Sequence, residues 1–367
     1  MPSTFLRALT GFAVGALFAG QALAAEEKVL NVYNWSDYIA EDTLAKFEAE
    51  TGIKVNYDVY DSNEMLESKL LAGSSGYDIV VPTSDTMARM IKGSILQKLD
   101  KAKIPNLANL DPSLMGRAEG FDPGNEHAAI YMWGTNGLGI NTAKIKEILG
   151  EDAPVDSYAL LFDPKYAEKL SACGIHVLDS ASEVFGVARN YLGLDPNSES
   201  KDDLAKATEL WMSVRPYVQK FHSSEFINAL ANGDICMAFG YSGDILQAQS
   251  RAEEAGNGVV IDYVIPKEGT MVWFDMMSIP VDAPHPENAH AFINFILEPP
   301  ITADISNYVW YANANAKATE LVIEDVRDNP GVYPSAEVME KLFIQKAASP
   351  AFERERTRAW TKVKTGI

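Results

Sequence analysis

The stretch VLNVYNWSDYIAEDTLAKFEAETGIKVNYDVYDSNEMLESKLLAGSSGYDIVVP, residues 29–82, decides the fold. Val29–Tyr33 has the apolar pattern of a strand. Ala40, Leu44 and Phe47 then share one face of a helix over Ala40–Glu50, with Gly52 as its stop. Ile53–Tyr60 alternates as a strand does, Asn63–Leu71 reads as a helix ending at Ala72-Gly73, and Tyr77–Val81 is a short apolar strand closed by Pro82, after which another helix follows. The order βαβαβ implies a parallel sheet with helices on both faces.

The remainder continues in α/β style. Tyr131–Ile140, with Gly134, Gly137 and Gly139, reads as a strand leaving the first lobe. Helices are expected over Ala181–Leu192, Asp202–Val214, Ser224–Asn232, Gly243–Gly256, Pro286–Leu297, Ala336–Phe343 and Phe352–Val363. Strands are expected over Asp234–Phe239, Val259–Ile265 and Met271–Pro280. A chain of 367 residues exceeds what one core usually serves. We therefore expect two α/β lobes, each a mostly parallel sheet flanked by helices, with the chain passing between them more than once.

Composition narrows the function. The formal net charge is −20, the opposite of the basic balance a nucleic-acid binder needs. Residues 1–24 read as a secretory leader: Arg7 is its one charge, the run from Ala8 to about Gly20 is small and apolar, and Ala22-Leu23-Ala24 is a small-x-small cleavage pattern. Removing it leaves 30 basic and 51 acidic residues, a net −21. The expected product is a soluble exported protein. In that setting Cys173 and Cys236, 63 positions apart and the only cysteines, are expected to form a disulfide, for which the chain-entropy relation gives about 4 kcal/mol. With no CxxC or HxxxH spacing, no metal or cofactor is expected.

In open α/β sheets, ligands bind beyond the carboxyl ends of strands. Three polar clusters fall there: Trp35-Ser36-Asp37-Tyr38, Thr83-Ser84-Asp85 and Tyr241-Ser242-Gly243-Asp244. Each has a plainer reading. Ser36, Thr83 and Ser242 suit helix N-caps, and Asp85, Asp244 and Glu183 suit first helical turns. Trp273 and Asp275, two apart on a strand, face the same way, and a carboxylate beside an indole is awkward as mere packing. Rings attract a cation and cover its methylenes while carboxylates neutralise it, so the set as a whole suits an organic cation.

These residues and their contexts resemble the periplasmic polyamine-binding proteins of ABC importers, the putrescine and spermidine receptors. The resemblance spans essentially the whole mature chain. It rests on Tyr33-Asn34-Trp35-Ser36-Asp37-Tyr38-Ile39, Phe221-His222-Ser223-Ser224, Ala231-Asn232-Gly233-Asp234-Ile235-Cys236, Tyr311-Ala312-Asn313-Ala314-Asn315 and Arg356-Thr357-Arg358-Ala359-Trp360-Thr361-Lys362. It implies a two-lobed, type II venus-flytrap fold: lobe 1 over 26–134 plus about 258–308, lobe 2 over 138–254 plus about 312–367. It further implies an aromatic box of Trp35, Tyr38, Tyr241, Trp273 and Tyr311, and ammonium acceptors Asp37, Glu183, Asp244 and Asp275. Ser36, Thr83 and Ser223 would support them, Arg251 would partner the acids, and Cys173–Cys236 would be the family's disulfide. The implied protein is a periplasmic monomer that captures a polyamine, hands it to a membrane permease, and catalyses nothing.

The chain departs from its relatives in three places. Tyr241 stands where they usually carry Trp, Asp85 adds a carboxylate, and Trp273 replaces Phe as in the spermidine-preferring members. If Asp85 points inward, the extra acid and large ring suit a triamine. The alternatives are an exported glycoside hydrolase with paired carboxylates, or a sensor or receptor for another organic cation. Against a hydrolase, no acid pair is identifiable by motif, and no GxSxG elbow appears.

Overall fold

The structure, a computed structural model, describes residues 26–367. The expected leader over 1–24 lies outside the described residues. Strands β1 (Val29–Trp35), β2 (Lys54–Tyr60) and β3 (Ile79–Val80) alternate with the helices Thr43–Thr51, Asn63–Leu71 and Ser84–Lys92, as the opening stretch predicts. Local signals act where they stand in the sequence. Gly52 ends the first helix with a left-handed φ of 69°, and the Ser62 hydroxyl accepts from the Met65 N–H at 3.2 Å to cap the second.

β4 (Ala128–Ile140) follows and is buried along its whole length. The later strands are β5 (Ile175–Val177), β6 (Lys220–Phe221), β7 (Met237–Tyr241), β8 (Asp262–Val264), β9 (Met271–Ser278), β10 (Ala312–Asn313) and β11 (Phe343–Ile344). They run in the order β2-β1-β3-β9-β4-β7-β5-β6. β1 pairs in parallel with β2 and β3, and β5 pairs in parallel with β6 and β7. β4 is antiparallel to both neighbours and changes partner midway: Thr135 faces Val272 of β9, whereas Asn136 faces Tyr241 of β7. The outer strands are thus parallel, as expected, and the crossing strand makes each sheet mixed.

Each side of that crossing has its own core. One gathers Leu30, Val32, Phe47, Ile79, Phe274, Ile293 and their neighbours. The other gathers Leu138, Phe162, Phe185, Trp211, Phe239 and Trp360. Tyr241, Tyr263 and Phe343 pack against both. Ala312 to Val332 pack into the first core, and the second is joined by Phe352, Trp360 and Val363 near the C-terminus. This differs from the expectation that everything from about 312 onward sits in lobe 2. The physical reason is β10, whose backbone pairs with Trp133 and Met132 of β4 and pulls the following segment onto the first sheet.

Other elements differ from their sequence pattern. The helix expected over Ala336–Phe343 stops at Met339, and Phe343 and Ile344 instead extend the sheet beside Met271 and Val272. The sequence pattern does not predict the helix Pro299–Val309. It starts with Pro at its first position directly after the preceding helix, so the sequence reads as a terminator although proline is well suited to a first turn. Cys173 and Cys236 are joined as a disulfide, with Cα atoms 5.6 Å apart.

Candidate functional site

A cavity of about 420 Å³ lies between the two cores. From the first side come Trp35 at the end of β1, Ser36 and Tyr38 after it, Asp61 after β2, Thr83 after β3, Trp273 and Asp275 on β9, and Tyr311. From the second come Glu183, Ser223, Ser224, Tyr241 and Asp244. Among the described residues, the wall contains four carboxylates and no Lys, Arg or His.

The rings are held by their polar ends. The Trp35 indole N–H donates to the Val81 carbonyl at 2.7 Å, and the Tyr60 hydroxyl donates to the same oxygen at 2.6 Å. The Tyr131 hydroxyl donates to the Tyr38 carbonyl at 2.6 Å, while the Tyr131 and Tyr38 rings meet edge to face at 5.2 Å. Tyr38 and Tyr311 are perpendicular at 5.0 Å, and Tyr241 and Trp273 nearly so at 5.8 Å. Trp273 and Tyr311 are tilted by 60°, and a box of steeply inclined rings presents both edges and faces inward. Glycine makes one wall possible: a Cβ on Gly243 would lie 2.4 Å from the Tyr311 ring.

Three carboxylates are buried in the wall. Asp275, 3% exposed, accepts from the Tyr38 hydroxyl at 2.8 Å through Oδ2, and its Oδ1 has no partner among the described residues. Asp244 accepts from the Tyr311 hydroxyl at 2.7 Å. Glu183 accepts from the Asn136 amide at 3.0 Å and from the Tyr241 hydroxyl at 3.3 Å. Burial pushes all three toward the neutral acid. The Glu183 carboxyl is raised to about 8; the Asn136 and Tyr241 bonds oppose this, and the charges of Glu64 and Asp85 add to it. Asp244 is raised to about 7, again by burial first, with Tyr311 opposing and Asp37 adding. Asp275 lies well above the usual range through burial, with repulsion from Glu183, Asp85 and Asp244.

The lobes touch around the cavity. Arg251 Nη2 meets Asp37 Oδ1 at 2.7 Å, the Gln247 amide donates to the Asp37 carbonyl at 3.3 Å, and the Ser224 hydroxyl donates to Asp61 at 3.3 Å. Asp37 has a left-handed φ of 53°. That turn places its side chain at the rim, 42% exposed, so it meets Arg251 and does not join the wall.

The structure gathers twelve of the expected residues to this place: eleven line the cavity, and Arg251 holds its rim. Besides Asp37, the exception is Asp85. It is buried behind Thr83, whose hydroxyl donates to it at 3.0 Å, and it pairs with Arg89 one helical turn on at 3.2 Å. A buried carboxylate takes the nearest cation, so Asp85 does not point inward. The cap reading of the hydroxyls also fails: Thr83 makes no side-chain cap bond, and the Ser242 hydroxyl accepts from the Thr135 N–H at 3.3 Å. Asp61, Ser224 and Asn136 were missed. Asp61 follows the carboxyl end of β2, so the strand-end rule that found the other clusters points to it too.

Residues 42–334 match the bacterial extracellular solute-binding protein family. The chain is 53% identical over 366 residues, covering 100% of each chain, to the putrescine-binding periplasmic protein SpuD of Pseudomonas aeruginosa. It is also 53% identical, over 98% of each chain, to the putrescine-binding periplasmic protein PotF of Escherichia coli. A solved structure described as a putative spermidine/putrescine ABC transporter from Listeria monocytogenes superposes with a TM-score of 0.84 at 32% identity, covering 93% of this chain and 100% of that one. With its two-lobed α/β architecture, the chain belongs to the bacterial extracellular solute-binding proteins.

Proposed function

We propose that this protein captures a polyamine, putrescine or spermidine, between its lobes and delivers it to an ABC permease. One observation carries the reading: Glu183, Asp244 and Asp275 are buried in one aromatic cavity whose wall offers them no cationic partner. Buried carboxylates are unfavourable unless paired. An ammonium about 4 Å from a carboxylate gains roughly 4 kcal/mol at an effective dielectric of about 20, before desolvation. A ring over the cation adds about 0.5–2 kcal/mol. Two ammonium groups on a flexible methylene chain meet both requirements of the wall, acids for the ends and rings for the middle. The names of the relatives at 53% identity point the same way.

The remaining roles belong to the same reading. The protein acts in the periplasm as a monomer, releases its leader on export, and binds without chemistry; among the described residues no helix is long and apolar enough to cross a membrane. Trp35, Tyr38, Tyr241, Trp273 and Tyr311 cover the methylenes. Ser36, Thr83 and Ser223 supply hydrogen bonds. Closure is a population shift driven by better ligand contacts in the closed form. Of the two arguments for a triamine, the Asp85 one is lost with that residue's place behind Thr83, and Trp273 remains.

The test is calorimetric titration of protein freed of carried-over ligand by unfolding and refolding, with putrescine, cadaverine, spermidine and agmatine. Saturable binding of putrescine or spermidine is expected. Absence of heat with all four, from protein that has regained its fold, overturns the proposal.

A further inference from the structure

Asn136 is fully buried at the residue where β4 leaves one sheet for the other, and it touches a cavity residue from each lobe. Its Oδ1 accepts from the Trp273 indole N–H at 2.8 Å. Its Nδ2 donates to Glu183 Oε2 at 3.0 Å. An indole N–H can only donate, and an amide offers one acceptor atom and one donor atom. Trp273 therefore dictates which end of the amide faces Glu183. With Oδ1 claimed by the indole, the donor end must face the carboxylate. Turned the other way, the amide would set a carbonyl oxygen against a carboxylate oxygen.

We propose that Asn136 is a positioning residue, and that Trp273, Asn136 and Glu183 form a relay in which the indole of one lobe orients the amide that holds the acid of the other lobe ready for an ammonium group. Trp273 is then more than a ring of the box. A phenylalanine there supplies a face but no N–H, and leaves the amide free to turn. The inference rests on the polyamine reading only for the ammonium; the relay itself is a property of the empty site.

The groups facing Glu183 define the background. The Tyr241 hydroxyl donates to Oε1. Glu64 and Asp85 oppose ionisation through their charge, and Asp275 and Tyr158 are each coupled to Glu183 electrostatically. None of these is a cation, so the Asn136 and Tyr241 donors are what favours the ionised form.

The test reads Glu183 directly in the ligand-free protein. The side-chain carboxyl is titrated by NMR in isotope-labelled protein, its signal identified by loss in Glu183→Gln. Asn136→Ala removes the donor and Trp273→Phe releases the amide. Each is expected to raise the Glu183 midpoint, by about one pH unit for Asn136→Ala and less for Trp273→Phe. The double variant is expected to lie no higher than Asn136→Ala alone. Loosened packing that admits water would move the midpoint down, so a merely structural role gives the opposite sign. An unchanged or lowered midpoint in Trp273→Phe, or additive shifts in the double variant, overturns the relay. Asn136→Ser stands in should Asn136→Ala fail to fold, with the same upward shift expected. Polyamine titration of the unaltered protein separates the two readings: no binding with the midpoints shifted sinks the ligand and leaves the relay, and binding with the midpoints unmoved does the reverse.

Discussion

The Tyr38 hydroxyl donates to Asp275 Oδ2 at 2.8 Å, leaving Oδ1 of a carboxylate that is 3% exposed with no partner among the described residues. A half-satisfied buried acid destabilises the empty protein and is poised for a donor that arrives from outside. Asp275→Asn keeps the shape and removes the charge. We expect polyamine affinity to fall by about 2–4 kcal/mol, roughly 30-fold to 1,000-fold. Ligand-free thermal stability should stay equal or rise. Calorimetry and thermal melts on the same preparation check both, and a drop in the ligand-free melting temperature together with undiminished affinity would refute the assignment.

The Arg251–Asp37 pair joins the lobes at the rim, with side chains 35% and 42% exposed. Exposed ion pairs contribute about 0.2–1 kcal/mol, and salt screens them. Arg251→Ala is therefore expected to weaken binding only about 1.5-fold to 5-fold, chiefly by faster release, and the difference should fade at high salt. Stopped-flow displacement at two ionic strengths measures this. A loss as large as that of Asp275→Asn would instead place Arg251 in contact with the ligand.

Proton linkage gives the third expectation. Glu183 is raised from its ordinary 4.5 to about 8 and Asp244 from 3.8 to about 7, so the folded, empty protein holds these protons more tightly than the unfolded chain. Their contribution to stability is present in full below the ordinary values and is lost as pH rises through the folded values. The ligand-free protein should thus lose stability from these groups between about pH 4 and 8. An ammonium takes the proton's place, so binding releases protons and affinity rises over the same window, up to about tenfold per pH unit for each proton released. Calorimetry at pH 6.5 in buffers of different ionisation enthalpy counts those protons; buffer-independent heat and a flat affinity from about pH 5 to 8 would be incompatible with ionisation on binding.

Much of this site is legible in the sequence because the strand-end rule is local. Trp35, Thr83, Tyr241 and Asp244 end or follow strands that short-range patterns define, and Trp273 and Asp275 share a face through the two-residue period of β9. The sequence shows that Asp85 exists but not that Arg89 lies within reach and takes it, because pairing depends on rotamers and burial. Asp37 looks like an acceptor in the motif, yet its left-handed backbone turns it to the rim. Asn136 sits in a glycine-rich apolar run, and its importance arises only where β4 changes partners, a long-range event with no local signature. The same holds for β10 and β11: two-residue strands are made by the neighbour they meet, and not by their own pattern.

Gly243 tests whether the box is set by its backbone. A Cβ there would lie 2.4 Å from the Tyr311 ring, closer than any real contact, and that ring carries the hydroxyl bonded to Asp244. Gly243 has no left-handed backbone angle, so alanine meets no strain of its own and would in a free helix be favoured over glycine. The whole effect of Gly243→Ala must then come from displacing Tyr311. We expect a stability loss of about 1–3 kcal/mol from overpacking, in place of the gain helix propensity alone would give. Affinity should fall further, because a shifted Tyr311 leaves Asp244 without its donor and narrows the cavity. Tyr311→Phe with Gly243→Ala separates the two effects. If the ring's position matters more than its hydroxyl, the double variant binds no better than Gly243→Ala, and a double variant restored to the affinity of Tyr311→Phe alone would show that the backbone does not shape this wall.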